Sequence, residues 1–466
     1  MSGPLVAGVD SSTQSCKVLV RDAATGAPVR EGRAAHPDGT QLDPRHWWTA
    51  LQEAVEDAGG LADVAAISVA AQQHGMVCLD ADGQVVRPAS LWNDVAPAGA
   101  ADALVEELGA DRWAEAVGVV PRAAITVSKL RWLAEQEPGS VRRTAAVCLP
   151  HDYLTWRLRE STSVGELTTD RGDASGTGYW SPASESYRED LVALAFGSVP
   201  ALPWVHGPGD AVGRTPAGAV VGAGTGDNMG AALGLGLEPG DVVVSLGTSG
   251  TVFAVGDGPV ADPSGDVAGF CDATGRFLPL VCTLNAARVL SSAARMLGTD
   301  LSGVDEMALR APAGAGGLTL LPYLDGERTP NLPDATGTLT GMRNDNTSPE
   351  NIARAAVEGM LCGLADGLDA LRRQGVAVRR VLLTGGGARS EAVRAVAPSL
   401  FDAEVCAPEP DEYVAIGAAR QAAWALSGAP EPPKWTVERT ELPLGDPQSG
   451  RRVRDAYRAA REQMHG

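Results

Sequence analysis

The sequence predicts an α/β fold in two domains of like architecture. Short β-prone apolar runs alternate with stretches of helical periodicity along most of the chain. Two segments half a chain apart share one pattern: an apolar run, a small polar tip, then a second apolar run. The 466 residues also exceed what one ordinary core organises, so two or three domains are expected.

The chain opens on a strand. Residues 5–9 and 17–20 are β-prone and flank Asp10-Ser11-Ser12-Thr13-Gln14-Ser15, the pattern of a polar-tipped hairpin. Strand-like runs at 64–69 and 77–79 then alternate with helical stretches at 102–108 and 129–136. The Pro/Gly-rich run 204–218 reads as an ordered loop, and the apolar run 219–221 leads through Gly222-Ala223-Gly224-Thr225-Gly226 into a small-residue helix at 229–235. Gly236-Leu237-Glu238-Pro239-Gly240 marks the boundary, giving a first domain over 1–238.

The second hairpin follows at 242–255, where Val242-Val243-Val244 precedes the tip Ser245-Leu246-Gly247-Thr248-Ser249-Gly250 and Val252-Phe253-Ala254 follows it. Ser348 can cap a helix with Pro349 at its first position. Ile352, Ala356, Met360, Leu364, Leu368 and Leu371 keep helical spacing, and Gly375 ends it. A strand at 378–384, the turn Gly385-Gly386-Gly387-Ala388-Arg389-Ser390 and a helix from Glu391 come next, an order that turns backbone NH groups toward a phosphate. Residues 429–434 read as a connector. The second domain is expected over 239–440, and 441–466 as a C-terminal surface helix with Val453, Tyr457 and Ala460 on one side.

Composition narrows the function classes. Apolar residues at 44% and charged residues at 21% describe a globular protein. The formal charge of −20, with no Lys/Arg block, argues against nucleic acid and anionic lipid as partners. A phosphate site in such a chain depends on backbone NH groups, a metal ion and a few local cations. The N-terminal run lacks the basic region of a signal peptide, and no stretch is long and apolar enough to span a membrane. Seven cysteines scattered singly, with no CxxC, suit a reducing cytoplasm and neither a disulfide framework nor a zinc site.

There is no GxxxxGK[ST] loop, no protein-kinase catalytic-loop set and no complete dinucleotide fingerprint, since the run at Gly222 lacks its third glycine. Asp227, followed by Asn228, stands at a helix N-terminus on that glycine-rich turn; it is either an N-cap or a base for a substrate hydroxyl. Asp10 ends the first strand beside Ser11, Ser12 and Thr13, with Lys17 as a local cation; an Asx turn or a site for Mg²⁺ and phosphate both explain it. Gln72-Gln73-His74-Gly75 places amides and an imidazole where they could bind several hydroxyls, although a lone histidine is more often structural. Trp92-Asn93-Asp94 and Asp325-Gly326-Glu327-Arg328-Thr329-Pro330 read by spacing alone as loops.

Together these segments resemble the FGGY carbohydrate kinases, in order along almost the whole chain. The first hairpin looks like the family's first phosphate segment, 245–250 like its second, and 383–390 like its glycine-rich adenosine motif. Gly226-Asp227-Asn228 resembles the substrate-site motif whose Asp is the catalytic base. Gln73-His74-Gly75, Leu91-Trp92-Asn93-Asp94, Pro150-His151-Asp152-Tyr153-Leu154, Asp173-Ala174-Ser175-Gly176-Thr177 and Gly326-Glu327-Arg328-Thr329-Pro330 look most like the branch acting on D-xylulose, and less like glycerol kinases. Gln73 stands where many of that branch have Met, His151 where Lys is common, and Val95-Ala96 where Arg often follows. These departures bear on substrate identity more than on reaction type.

The resemblance implies two ribonuclease-H-like domains of the actin/hexokinase type with an interdomain cleft, the first binding sugar and the second nucleotide. It implies ATP-dependent phosphorylation of a small ketopentose, D-xylulose first, with ribulose, an erythritol-like polyol or glycerol as alternatives. Catalysis falls to Asp227 and Asp10, with Asp10 holding Mg²⁺; sugar contacts fall to Gln73, His74, Trp92, Asp227 and Asn228. Nucleotide contacts fall to Thr13, Gln14, Ser15, Lys17, Gly247, Thr248, Ser249, Gly386, Gly387, Ala388 and Ser390. Family analogy adds a homodimer. An actin-like ATPase needs no polyol pocket, and an inactive sugar sensor need not keep Asp10 with Asp227. A carboxylate at a helix N-terminus is expected to have a low pKa, tolerable where the proton leaves late in a loose transition state.

Overall fold

The computed structural model describes residues 3 to 465, which separate into two compact units. The first runs to Leu237 and includes Asp257–Leu278 and Asp411–Thr436; the second takes Glu238–Gly256, Pro279–Pro410 and the chain from Val437. Asp257–Leu278 and Asp411–Thr436, expected from the sequence in a second domain over 239–440, thus belong to the first unit. No helix among the described residues is long and apolar enough to cross a membrane.

In the first unit the strand Leu5–Ser11 is central. Ser15–Asp22 and then Pro28–Ala35 continue from it antiparallel, while Val64–Ala71 and then Val220–Gly222 lie parallel on its other side. Six of the seven residues of Leu5–Ser11 are buried, as befits a strand covered on both faces. Helix Pro44–Asp57 lies against the hairpin strands, and helix Tyr413–Ser427 against Leu5–Ser11 and Val64–Ala71. Gly8 permits the second contact: a Cβ there would stand 2.0 Å from the Ala415 carbonyl oxygen. Asp43 caps the first helix, with Pro44 leading it.

The second unit repeats this order. Asp241–Leu246 is central; Gly250–Ala254 is antiparallel to it, and residues Leu280 to Thr283 pair antiparallel beyond. Arg380–Thr384 and Glu404–Pro408 are parallel on the other side, with Arg439–Glu441 antiparallel at the edge. Numbered along the chain, the five shared strands run third, second, first, fourth, fifth in both sheets. That is the expected ribonuclease-H-like order, and the paired hairpins are its first two strands.

The 25-residue helix Pro349–Arg373 begins as expected, with the Ser348 hydroxyl accepting from the Asn351 NH. Helices expected at 102–108 and 129–136 start earlier, as Ala98–Leu108 and Thr126–Gln136. The C-terminal helix extends over Pro447–His465, burying Tyr457 and Ala460 and pairing Arg454 with Asp369 and Arg461 with Asp366. The run expected as a loop at 204–218 contains two short strands, Trp204–His206 and Ala211–Arg214. The first pairs with Thr168–Asp170 and the second with Val220–Gly222, partners that local composition does not reveal.

Candidate active site

Two carboxylates converge on one end of the first sheet. Asp10 pairs in register with Ala70, and on the other side of the same strand Thr225 and Gly226 pair with Ala70 and Ala71. Asp227, the first residue of helix Asp227–Leu235, follows directly. Both acids therefore stand at the C-terminal ends of parallel strands, where open α/β sheets bind ligands.

Asp10 is 2% exposed and is the last residue but one of its strand, so the tip proper is Ser12, Thr13 and Gln14. The Ser12 hydroxyl donates to Asp10 Oδ1, and Lys17 Nζ lies 3.5 Å from Oδ2. Burial raises the Asp10 pKa, and Lys17 and Ser12 offset part of that rise. Lys17 Nζ also donates to Glu412 Oε2 at 2.6 Å. Burial works against the ammonium, but Asp10 and Glu412 outweigh it and raise its pKa. The expected local cation is thus held between two carboxylates. Ser15 is buried, while Gln14 is exposed and its carbonyl accepts from the His36 NH.

Asp227 is pushed up to about 7, first by burial and then by the charge of Asp10, against the Asn228 backbone NH. The expected depression by the helix N-terminus is overturned: desolvation and a neighbouring like charge exceed the effect of a few amide dipoles. A carboxyl of this kind is a base matched to neutral pH. Its Oδ1 accepts from the Asn228 NH at 2.8 Å and from Asn228 Nδ2 at 3.0 Å. Its neighbour Gly226 is the helix N-cap, and that position has no side-chain bond.

The other residues expected at the sugar are gathered in the same unit. Asn228 Nδ2 also donates to Gln73 Oε1 at 3.0 Å. Gln73 Nε2 and both amide atoms of Gln72 are buried without a hydrogen-bond partner, the state of groups that receive a polar ligand. His74 Nδ1 donates to the Gly176 carbonyl at 2.8 Å, with its backbone held at φ 66°. Trp92 Nε1 donates to Thr13 Oγ1 at 2.9 Å, joining a sugar-side candidate to the hairpin tip. Lys129, fully buried, donates to the His74 carbonyl. Burial lowers its pKa to about 7, against the favourable charge of Asp94. Lysine on an otherwise ordinary helix gives no sequence signal of this role, and neither does Glu412, which is nearly 400 residues from its partner.

The remaining candidates lie in the second unit. Gly247, Thr248 and Ser249 turn the hairpin between Leu246 and Gly250, and the Gly385–Gly387 turn lies against Leu246. Gly386, Gly387 and Ala388 belong to the 3₁₀ turn Gly386–Arg389. Ser390 caps helix Glu391–Phe401 by accepting from the Val393 NH, and its own hydroxyl donates to Asp305. Arg288, which the sequence did not single out, donates to the Thr248 carbonyl at 3.3 Å and to Ser249 Oγ at 3.4 Å. It pairs with Asp325 at 2.6 Å, so the 325–330 loop supports the tip. Glu327 of that loop is buried and accepts from the Leu284 NH and Asn285 Nδ2.

Among the described residues no group of three or more His, Cys, Asp or Glu is placed to hold a metal alone. Mg²⁺ bound with nucleotide needs only one or two carboxylates beside phosphates and water, and the desolvated Asp10 carboxylate fits that requirement.

Comparison with known proteins agrees with this organisation. Residues 5–236 match the N-terminal domain of the FGGY family of carbohydrate kinases, and 242–426 match its C-terminal domain. A xylulose kinase of Streptomyces coelicolor is 48% identical over 441 residues, covering 91% of this chain and 89% of the relative. One from Escherichia coli is 34% identical, covering 82% of each. The crystal structure of xylulose kinase from Bifidobacterium adolescentis superposes with a TM-score of 0.93 at 46% identity, covering 98% of this chain and 99% of that one. With both family domains matched in order and the repeated sheet beneath them, this chain belongs to the FGGY family of carbohydrate kinases.

Proposed function

We propose that the chain transfers the γ-phosphoryl group of ATP to a small ketopentose, converting D-xylulose to D-xylulose 5-phosphate. The observation that carries this reading is the convergence of Asp227 and Asp10 at one sheet end, beside unsatisfied amides at Gln72 and Gln73. The names of the xylulose kinase relatives support the choice of sugar.

In this reading Asp227, oriented by Asn228, accepts the proton of the sugar's 5-hydroxyl as its oxygen bonds to the γ-phosphorus and the bond to the β-phosphate oxygen breaks, releasing ADP. Gln73, His74, Trp92 and Asn228 hold the hydroxyls; in the second unit, Gly247, Thr248, Ser249 and the Gly386–Ser390 turn take the nucleotide. Lys17 serves chiefly to fix Asp10, since its ammonium is already paired. Mg²⁺ at Asp10 would offset the charge of the phosphates when bound. The same reading places the enzyme in the cytoplasm and makes a homodimer the assembly to seek by light scattering.

The test is ATP consumption across D-xylulose, D-ribulose, erythritol and glycerol, with Asp227→Asn in parallel. D-xylulose is expected to give the highest kcat/KM, and the variant to lose turnover. Faster turnover of glycerol would overturn the choice of sugar, and an active Asp227→Asn would overturn the assignment of the base.

A further inference from the structure

Behind the segment that presents Asp227 lies a fully buried ionic cluster. His151, Asp152, Asp170 and Asp173 each have no exposed surface. His151 Nδ1 lies 2.7 Å from Asp173 Oδ2, while Nε2 lies 3.1 Å from Asp152 Oδ1 and 3.9 Å from Asp170 Oδ1. One ring thus faces three carboxylates, a setting that favours its doubly protonated form.

The cluster touches the base-bearing segment in two ways. Gly224 has φ +83°, and a Cβ there would stand 2.4 Å from His151 Cδ2, so the imidazole lies directly on the turn. Asp170 Oδ2 accepts from Thr225 Oγ1 at 2.9 Å, while Asp170 also caps the short helix Arg171–Ser175 through the Gly172 and Asp173 NH groups. That helix ends at Gly176, whose carbonyl accepts from His74. Its Asp173 is the residue that holds the His151 ring.

We propose that His151 is a positioning residue for Asp227: its imidazolium, hydrogen-bonded to Asp173 and facing the charge of Asp152, fixes the Gly224–Thr225–Gly226 segment and, through the Asp170-capped helix, His74. The inference rests on reading Asp227 as the base.

The charge balance supports it. Burial alone would neutralise the ring, but Asp152, Asp173 and Asp170 outweigh burial and raise its pKa to about 9. Burial in turn raises Asp152 to about 7 and Asp170 to about 6, with His151 opposing. Cys148, Tyr179 and Tyr187 face the same acids, and burial pushes all three upward, leaving them neutral. His151 is therefore the cation of the cluster, and a neutral residue there leaves buried carboxylates unpaired.

The test compares His151→Gln, which removes the charge, with His151→Lys, which keeps a cation, and with Thr225→Val, which removes only the bond to Asp170. His151→Gln and Thr225→Val are expected to lower kcat about tenfold or more while the KM for ATP stays within twofold, as displacement of a catalytic group does. His151→Lys should recover most of that loss, which a purely space-filling role would not allow. Imidazole ¹⁵N resonances should show a doubly protonated His151 at pH 7. Wild-type kcat in both His151→Gln and Thr225→Val, or a neutral ring at pH 7, would overturn the proposal. Should His151→Gln fail to fold, Thr225→Val and the resonance decide. Asp227→Asn separates the two readings: if it is inactive while Thr225→Val is fully active, only the positioning role fails, and if it is active, the base assignment fails first.

Discussion

The two hairpin tips occupy the same place in the fold and carry different chemistry. Each joins the first two of the five shared strands, which run third, second, first, fourth, fifth in either seven-stranded sheet. In the first, Asp10 is the last residue but one of the strand and is bonded by Ser12 and by Lys17, which in turn is held by Glu412 from far along the chain. In the second, the corresponding stretch is Ser245-Leu246-Gly247-Thr248-Ser249, with no acid, and a single guanidinium, Arg288, bonds its carbonyl and hydroxyl. Topology is set by strand pairing and survives such changes, whereas the charge at a tip depends on a few side chains that make no difference to pairing. On the proposed reading the first tip handles reacting groups and the second holds a phosphate with backbone and hydroxyl groups.

The largest effects should therefore come from the first unit. Asp227→Asn is expected to lower kcat by about 10²–10⁴, the usual worth of a general base, with little change in the KM for ATP. Asp10→Asn should lower kcat by about 10². Equal losses from Ser245→Ala, measured in the same coupled assay, would abolish the distinction between the tips.

A smaller effect appears in stability. The Asp227 pKa is raised on folding to about 7, so the stabilisation that protonation gives is fully present below the unfolded value and is lost as pH rises through about 7. Above neutrality the native state carries the full penalty, and Asp227→Asn removes it. The ligand-free variant should melt about 2–4 °C higher than the parent at pH 8, and the gap should shrink as pH falls toward 4, as followed by calorimetry. A gap that grows on acidification would mean that Asp227 is stabilised as the anion.

The smallest effect is expected at the second tip. Arg288→Ala removes a half-exposed ion pair and two long hydrogen bonds, so it should raise the KM for ATP about twofold to fivefold and leave kcat in place. A fall in kcat as large as that of Asp10→Asn would assign the second tip a share of the chemistry.

How much of this the sequence determined follows from the range of the interactions. The two hairpins, the Ser348-capped helix and the glycine turn before Glu391 are set by periodicity, caps and turn residues within about ten positions, and all were legible. Asp10 and Asp227 could be named because each stands at the end of a strand beside a polar turn. Whatever joins distant segments was not legible. Strand pairing around 204–214, the return of helix Tyr413–Ser427 onto Gly8, and Glu412 on Lys17 connect residues that share no local pattern. The Asp227 pKa belongs to the same class. Its helix position predicted a low value, but desolvation and Asp10 are properties of the assembled sheet end, and only the tertiary structure brings them to bear.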